Sequence, residues 1–202
     1  MKGHSGERIV LASNNPGKVR EFRELLATER IDIVPQSALG VLEAEETGLS
    51  FVENAILKAR NAARFSHLPA LADDSGIEVD ALQGAPGIYS ARYAGPGASD
   101  EANNRRLLEA LAEIPEAERT ARYQCLIVYL RHAEDPTPLI CQGIWEGRIL
   151  FKPVGEGGFG YDPLFWVPSH GCSAAQLDPA EKNRLSHRGE ALRRLLTALR
   201  GA

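Results

Sequence analysis

Cysteine is scarce in this chain. The three present, Cys125, Cys141 and Cys172, are odd in number and fall at no metal-ligand spacing, which argues against a disulfide framework and points to free thiols in a reducing compartment. Long apolar runs are absent as well. No stretch approaches the ~18 apolar residues of a membrane span, and Met1 to Glu7 is polar, without the apolar heart of a signal peptide. The expectation is a soluble, cytoplasmic protein with no membrane partner. Nor is there an excess of positive charge: Lys and Arg number 23 against 27 Asp and Glu, a net charge of −4. That balance argues against sequence-independent nucleic-acid binding, which needs a basic surface to displace counterions, and leaves room for a local basic pocket for a small polyanion. Repeats, heptads and low-complexity linkers are missing too. With 202 residues, 44% hydrophobic and 25% charged, the chain fits a flexible tail over 1–7 and a single domain over 8–202.

Among what is present, Ala72-Asp73-Asp74-Ser75-Gly76 carries the most information. Two adjacent carboxylates and a hydroxyl close the short apolar run Leu68 to Ala72, and like charges this close need a cation or a shared proton to be stable. Gly76 suits a sharp turn that leaves the carboxylates at a strand end, facing solvent. A plain turn closing a strand is the alternative.

The neighbouring segments supply partners. Arg8 to Ser13 reads as a buried first strand, followed by the turn Asn14-Asn15-Pro16-Gly17; Asn15 is a good N-cap and Pro16 suits the first position of a helix carrying Lys18, Phe22, Leu25 and Leu26. Free N–H groups at that helix start attract phosphate, and Lys18 sits at the dipole end that disfavours cations. A second strand covers Ile31 to Val34. Glu43, Glu45 and Glu46 then gather ahead of Ser50 and Glu53, a capping box that opens a helix to about Phe65. On that helix Asn54, Lys58 and Asn61 edge the apolar arc, so Lys58 has the reach to extend toward a site, with a solvated lysine on the helix flank as the alternative. Paired with Asp73 and Asp74, the acidic trio offers hard oxygen donors suited to Mg²⁺ or Mn²⁺.

The middle of the chain is expected to be strand-rich. Gly76 to Leu82 and Ile88 to Tyr93 flank a Gly-Ala-Pro-Gly turn, a helix capped by Ser99 or Asp100 runs to about Glu113, and Thr120 to Arg131 and Leu139 to Leu150 form an antiparallel pair across His132 to Pro136. Gly155 to Pro163 is too rich in glycine for a strand and places the rings of Phe159 and Tyr161 where backbone can approach a flat ligand, with base stacking as the functional reading and a flexible turn with core aromatics as the alternative. Asp178-Pro179 starts a helix with Lys182 in its first turn, and Ser186 opens a last amphipathic helix beginning with His187 and Arg188. Lys18, Lys182 and His187-Arg188 all stand at a helix start, where a cation opposes the dipole. Such placement suggests external anions or acceptors.

Ser13-Asn14-Asn15 with Gly17-Lys18, Glu46-Thr47-Gly48 with Phe51 to Ala55, Ala72 to Gly76, Gly84 to Gly87 with Ser90-Ala91-Arg92, Gly158 to Asp162 and Ser186 to Gly189 together resemble, in order, the Ham1/RdgB family of inosine triphosphate pyrophosphatases. The resemblance implies an α/β fold with a long mixed sheet flanked by helices, two lobes around a nucleotide cleft, a homodimer, a Mg²⁺ requirement, and cleavage of ITP, XTP and their deoxy forms to monophosphate and pyrophosphate. By the same resemblance Glu46 and Asp74 hold the metal, with Glu45 and Asp73 as alternatives, and Asp74 accepts the proton of the attacking water while Lys18 and Lys58 assist. Ser13, Asn14, Asn15, Pro16, Gly17, Lys18 and Ser75 then hold phosphates and sugar, and Phe159, Gly160, Tyr161, Asp162, Lys182, His187 and Arg188 hold the base. A regulatory module that binds nucleotide without turnover, and the Maf-like pyrophosphatases, are the rival readings; no expected carboxylate or lysine is missing, which weighs against the first.

Overall fold

The computed structural model describes residues 7–27, 29 and 31–201. The tail expected over 1–7 otherwise lies outside the described residues, and Glu7 already opens the first strand. Seven strands form one sheet in the order β2-β1-β3-β4-β5-β6-β7: β1 Glu7–Leu11, β2 Ile31–Pro35, β3 Ala70–Val79, β4 Thr120–Leu130, β5 Leu139–Ile149, β6 Phe165–Val167 and β7 Cys172–Ser173. Strand β1 pairs in parallel with β2 and with β3, whereas β5 with β6 and β6 with β7 are antiparallel. The sheet is therefore mixed, as expected. Among the described residues five α-helices accompany it: α1 Pro16–Leu25, α2 Phe51–Ser66, α3 Asp100–Ala110, α4 Pro179–Leu185 and α5 His187–Gly201.

By contacts the chain divides into two compact units. The first comprises residues up to Asp74, Leu126–Gln142 and the residues from Ala191. Its core sets the small face of α2 (Ala55, Ala59, Ala62, Ala63) against Val10, Ala12, Ala70, Ala72, Val128 and Leu130. The alanines follow the helical period, so the helix can lie close on the strands. Asn15 caps α1 through its side chain and Ser50 caps α2, as expected. Asp135 fixes the turn after β4 by accepting from the Arg131 and Thr137 backbone N–H groups and from the Arg131 guanidinium.

The second unit comprises Ser75–Cys125 and Gly143–Glu190. Its core is aromatic: Tyr123, Trp145, Tyr161 and Phe165 pack with Ile77, Val79, Leu107, Leu111 and Leu164. Two expectations fail here. The strand foreseen over Ile88 to Tyr93 is a 3₁₀ helix, Gly87–Arg92, and Asp80–Leu82 is another 3₁₀ turn. Hydrogen bonding explains the first: the Ser90 hydroxyl accepts the Ile77 N–H and donates to the Gly87 carbonyl, giving the segment a side-chain partner in place of a ladder. The second failure concerns Asp73 to Gly76. These residues form no turn at a strand end; they lie inside β3, with Asp73 and Asp74 buried.

Candidate functional site

Buried carboxylates in a strand interior demand cations, and the first unit supplies two. Lys18 Nζ lies 3.2 Å from Asp73 Oδ1, and Lys58 Nζ lies 2.6 Å from Asp74 Oδ1 and 3.0 Å from Glu46 Oε1. Lysine pairing is what lets the Asp-Asp dipeptide continue the strand. Burial pushes the Asp74 carboxyl above its ordinary range, against the pull of Lys58 and Lys18. Burial also pulls the Lys58 ammonium down, but the summed attraction of Asp74, Asp73 and Glu46 outweighs it and holds the group above its usual value. Glu45, by contrast, is exposed, so the structure brings Glu46 and not Glu45 to Lys58 and Asp74.

Asn54, one turn before Lys58 on α2, was placed by sequence only on the edge of the helix. It is fully buried, donates to Asp74 Oδ2 at 3.4 Å and accepts the Gly48 N–H at 2.8 Å. A side chain at Gly48 would come within 2.8 Å of that Asn54 oxygen, so glycine allows the loop carrying Glu46 to approach α2. The i, i+4 spacing of Asn54 and Lys58 was the available signal.

The start of α1 departs from expectation. The Gly17 and Lys18 N–H groups are not free for phosphate, because Asn15 Oδ1 accepts both, at 2.9 and 3.1 Å. The Asn15 N–H in turn donates to Ser13 Oγ at 3.2 Å. Asn14, Asn15 and Pro16 are exposed, while Ser13 and Gly17 are buried.

In the second unit the basic residues gather around Phe159. Lys182 Nζ stands 4.6 Å from the ring centroid and the Arg188 guanidinium carbon 5.9 Å from it. Lys182 also pairs with Asp162 Oδ2 at 2.8 Å, and that same oxygen accepts the Phe159 N–H at 2.8 Å. Arg188 Nη2 donates to Ser75 Oγ at 3.0 Å, and the His187 ring stacks on Tyr123 at 4.6 Å with a 7° interplanar angle. Tyr123, which sequence did not single out, also donates to Asp162 Oδ1 at 3.3 Å. Two corrections follow. Lys18 and Lys182 answer to the protein's own carboxylates, so their position at helix starts does not by itself require an external anion. Tyr161 is not a stacking platform: its ring is in the core and its hydroxyl donates to the Ser90 carbonyl at 2.7 Å, which leaves Phe159 as the half-buried ring.

A model of the Ham1 family matches residues 9–198. The chain belongs to the Ham1 family. It is 65% identical over 194 residues to the dITP/XTP pyrophosphatase of Thioalkalivibrio sulfidiphilus (strain HL-EbGR7), covering 96% of this chain and 99% of that one. The dITP/XTP pyrophosphatase of Escherichia coli (strain K12) is 59% identical over 194 residues, with 96% and 98% covered. Among solved structures, a HAM1 protein from Coxiella burnetii superposes with a TM-score of 0.90 at 52% identity, covering 97% of this chain and all of that one. The Staphylococcus aureus Ham1 protein gives 0.84 at 41% identity, covering 96% and 99%.

Proposed function

We propose that this Ham1-family chain hydrolyses deaminated purine nucleoside triphosphates (ITP, dITP, XTP and dXTP) to the monophosphate and pyrophosphate, cleansing the nucleotide pool. The observation that carries the reading is Lys58 held between Glu46 and Asp74, a buried acid and lysine cluster in a chain so similar to proteins named dITP/XTP pyrophosphatases. Among the described residues no three His, Cys, Asp or Glu side chains gather as a metal cage. Mg²⁺ is typically bound by one or two carboxylates together with substrate phosphates, so Glu46 and Asp74, with Asp73 beside them, suit it without a third ligand. Mn²⁺ takes the same oxygen donors. When bound, the ion supplies neutralisation of triphosphate charge.

The chain's own residues do the rest. Water attacks the α-phosphorus, the bond to the bridging oxygen breaks and pyrophosphate leaves; Asp74, its carboxyl raised by burial, accepts the water's proton more readily than an ordinary carboxylate. Lys58 and Lys18 offset charge on the phosphates. Phe159 stacks on the purine. Arg188 donates to O6, an acceptor in hypoxanthine and xanthine where adenine carries an amino group, and a site built for that bond rejects ATP by roughly 10⁴. The family resemblance also implies a cytoplasmic homodimer.

The test is a panel of common and deaminated nucleoside triphosphates with Mg²⁺, assayed separately for pyrophosphate and orthophosphate. Pyrophosphate released from ITP, dITP and XTP, with little from ATP, is the expected result. Diphosphate and orthophosphate as products would reject attack at the α-phosphorus.

A further inference from the structure

The loop bearing Phe159 is gripped by α3. Asp100 and Asn104 stand one turn apart on that helix, so they share a face. Asp100 Oδ2 accepts the Gly160 N–H at 2.7 Å, and Asn104 Nδ2 donates to the Gly160 carbonyl at 2.9 Å. Between helix and loop lies a cavity of about 400 Å³ lined by Asp100, Asn104, Gly157, Phe159 and Gly160. The Phe159 N–H bond to Asp162 and the Gly157 N–H bond to the Ala175 carbonyl fix the loop on its other side, and the two hydrogen bonds from Asp100 and Asn104 are what tie Gly160 to α3. Asn104 is also a costly residue for the fold alone: it is 8% exposed, and its side-chain oxygen is buried with no hydrogen-bond partner. The Gly160 carbonyl fixes the amide's orientation, since flipping it would set two acceptors face to face.

We propose that Asp100 and Asn104 are positioning residues that set the Phe159 ring for the purine base by holding both sides of the Gly160 residue. They touch neither the phosphates nor the base; they act through the loop. The proposal rests on the reading of Phe159 as the base platform.

Three variants test it, each followed by amide hydrogen exchange over 156–161, by KM and kcat for dITP, and by Tm. Asp100→Ala and Asn104→Leu are expected to speed exchange in the loop at least ~5-fold and to raise KM roughly 10-fold, with kcat changed no more than about twofold. Asn104→Leu removes the unmet acceptor along with the donor, so its Tm is expected to stay within about 3 °C of wild type. Asp100→Asn, which keeps a side-chain oxygen for the Gly160 N–H, is expected to return KM to within about twofold of wild type. Unchanged exchange overturns the proposal, because the loop is then held without these residues. So does faster exchange with KM unmoved, or a loss of kcat that follows Tm, which marks a purely structural role. If wild type turns over no purine nucleoside triphosphate, the proposed function falls, and the grip of α3 on the loop is decided by the exchange data alone.

Discussion

Lys58 donates to Asp74 at 2.6 Å while its other contact, Glu46, lies at 3.0 Å, so one ammonium joins the loop before α2 to the interior of β3. Removing that charge leaves two carboxylates facing each other in a largely dehydrated place. Lys58→Met is expected to lower kcat/KM for ITP by at least ~10²-fold and to lower Tm as well, because breaking a buried pair exposes the uncompensated partner. Steady-state kinetics and thermal melts of the two proteins check it. Unchanged kinetics with a lowered Tm would make the cluster a device of stability only.

Asp74→Asn separates chemistry from folding in the same cluster. The amide keeps the size of the carboxylate and an acceptor for Lys58, and Glu46 still pairs with the ammonium. The fold should therefore persist while turnover falls at least ~10²-fold, because the proposed proton acceptor is gone. Circular dichroism and product formation under saturating Mg²⁺ give the two readings. A folded variant with near-normal turnover would move the proton acceptor elsewhere.

These residues were legible in the sequence by type, but their setting was not. Asp73 and Asp74 stood out as a costly pair, and Lys58 as a lysine beside an apolar arc. That they lie within a continuous strand depends on lysines contributed from α1 and α2, a tertiary fact no local pattern carries. The capped helix starts at Asn15, Ser50 and Asp178 were readable because a cap is local chemistry. The 3₁₀ helix at Gly87–Arg92 was not, because the Ser90 hydroxyl that meets the Ile77 N–H comes from 13 residues away. Strands β6 and β7, of three and two residues, are too short to show a period at all. Tyr161 and Phe159 look alike in sequence, and only burial separates them, Tyr161 in the core and Phe159 half-buried.

Asp135 offers a test of stability against pH. Hydrogen bonds from the Arg131 side chain, and from the Arg131 and Thr137 N–H groups, hold its carboxyl well below the usual carboxylate range. A carboxylate depressed in the folded state contributes stability that is present above the unfolded value of about 3.9 and is lost as pH falls from there toward the folded value. Asp135→Ala should therefore lower Tm clearly at pH 7, and the gap to wild type should narrow at pH 3. Melts at both values decide it. A gap that does not change with pH would assign the effect to uncharged contacts of the turn.

Gly158 is the tightest point of the Phe159 loop. Its φ is +73°, and an added Cβ would fall 2.1 Å from Asp162 Oδ2, the oxygen that holds both Lys182 and the Phe159 N–H. Gly158→Ala combines left-handed strain of roughly 1–2 kcal/mol with displacement of that carboxylate. Both Tm and the affinity for dITP should fall. A variant with wild-type KM would show that the Asp162 carboxylate can move without disturbing the base end of the site.

Arg188 carries the prediction on base choice. It is buried at the start of α5, donates to Ser75 Oγ at 3.0 Å and has its guanidinium carbon over the Phe159 ring, 5.9 Å from the centroid. The planar guanidinium fork is a charged donor suited to an acceptor such as a purine O6. Loss of one charged hydrogen bond is worth about 1.5–3 kcal/mol, or roughly 10- to 150-fold. Arg188→Ala should therefore lower kcat/KM for ITP by that factor and change the already poor rate with ATP far less, so the ratio between the two narrows. The measurement is four kcat/KM values, wild type and variant with each nucleotide. Should ITP and ATP fall together, Arg188 acts through Ser75 on the shared sugar and phosphates, and discrimination at O6 passes to His187 or to the backbone between Phe159 and Asp162.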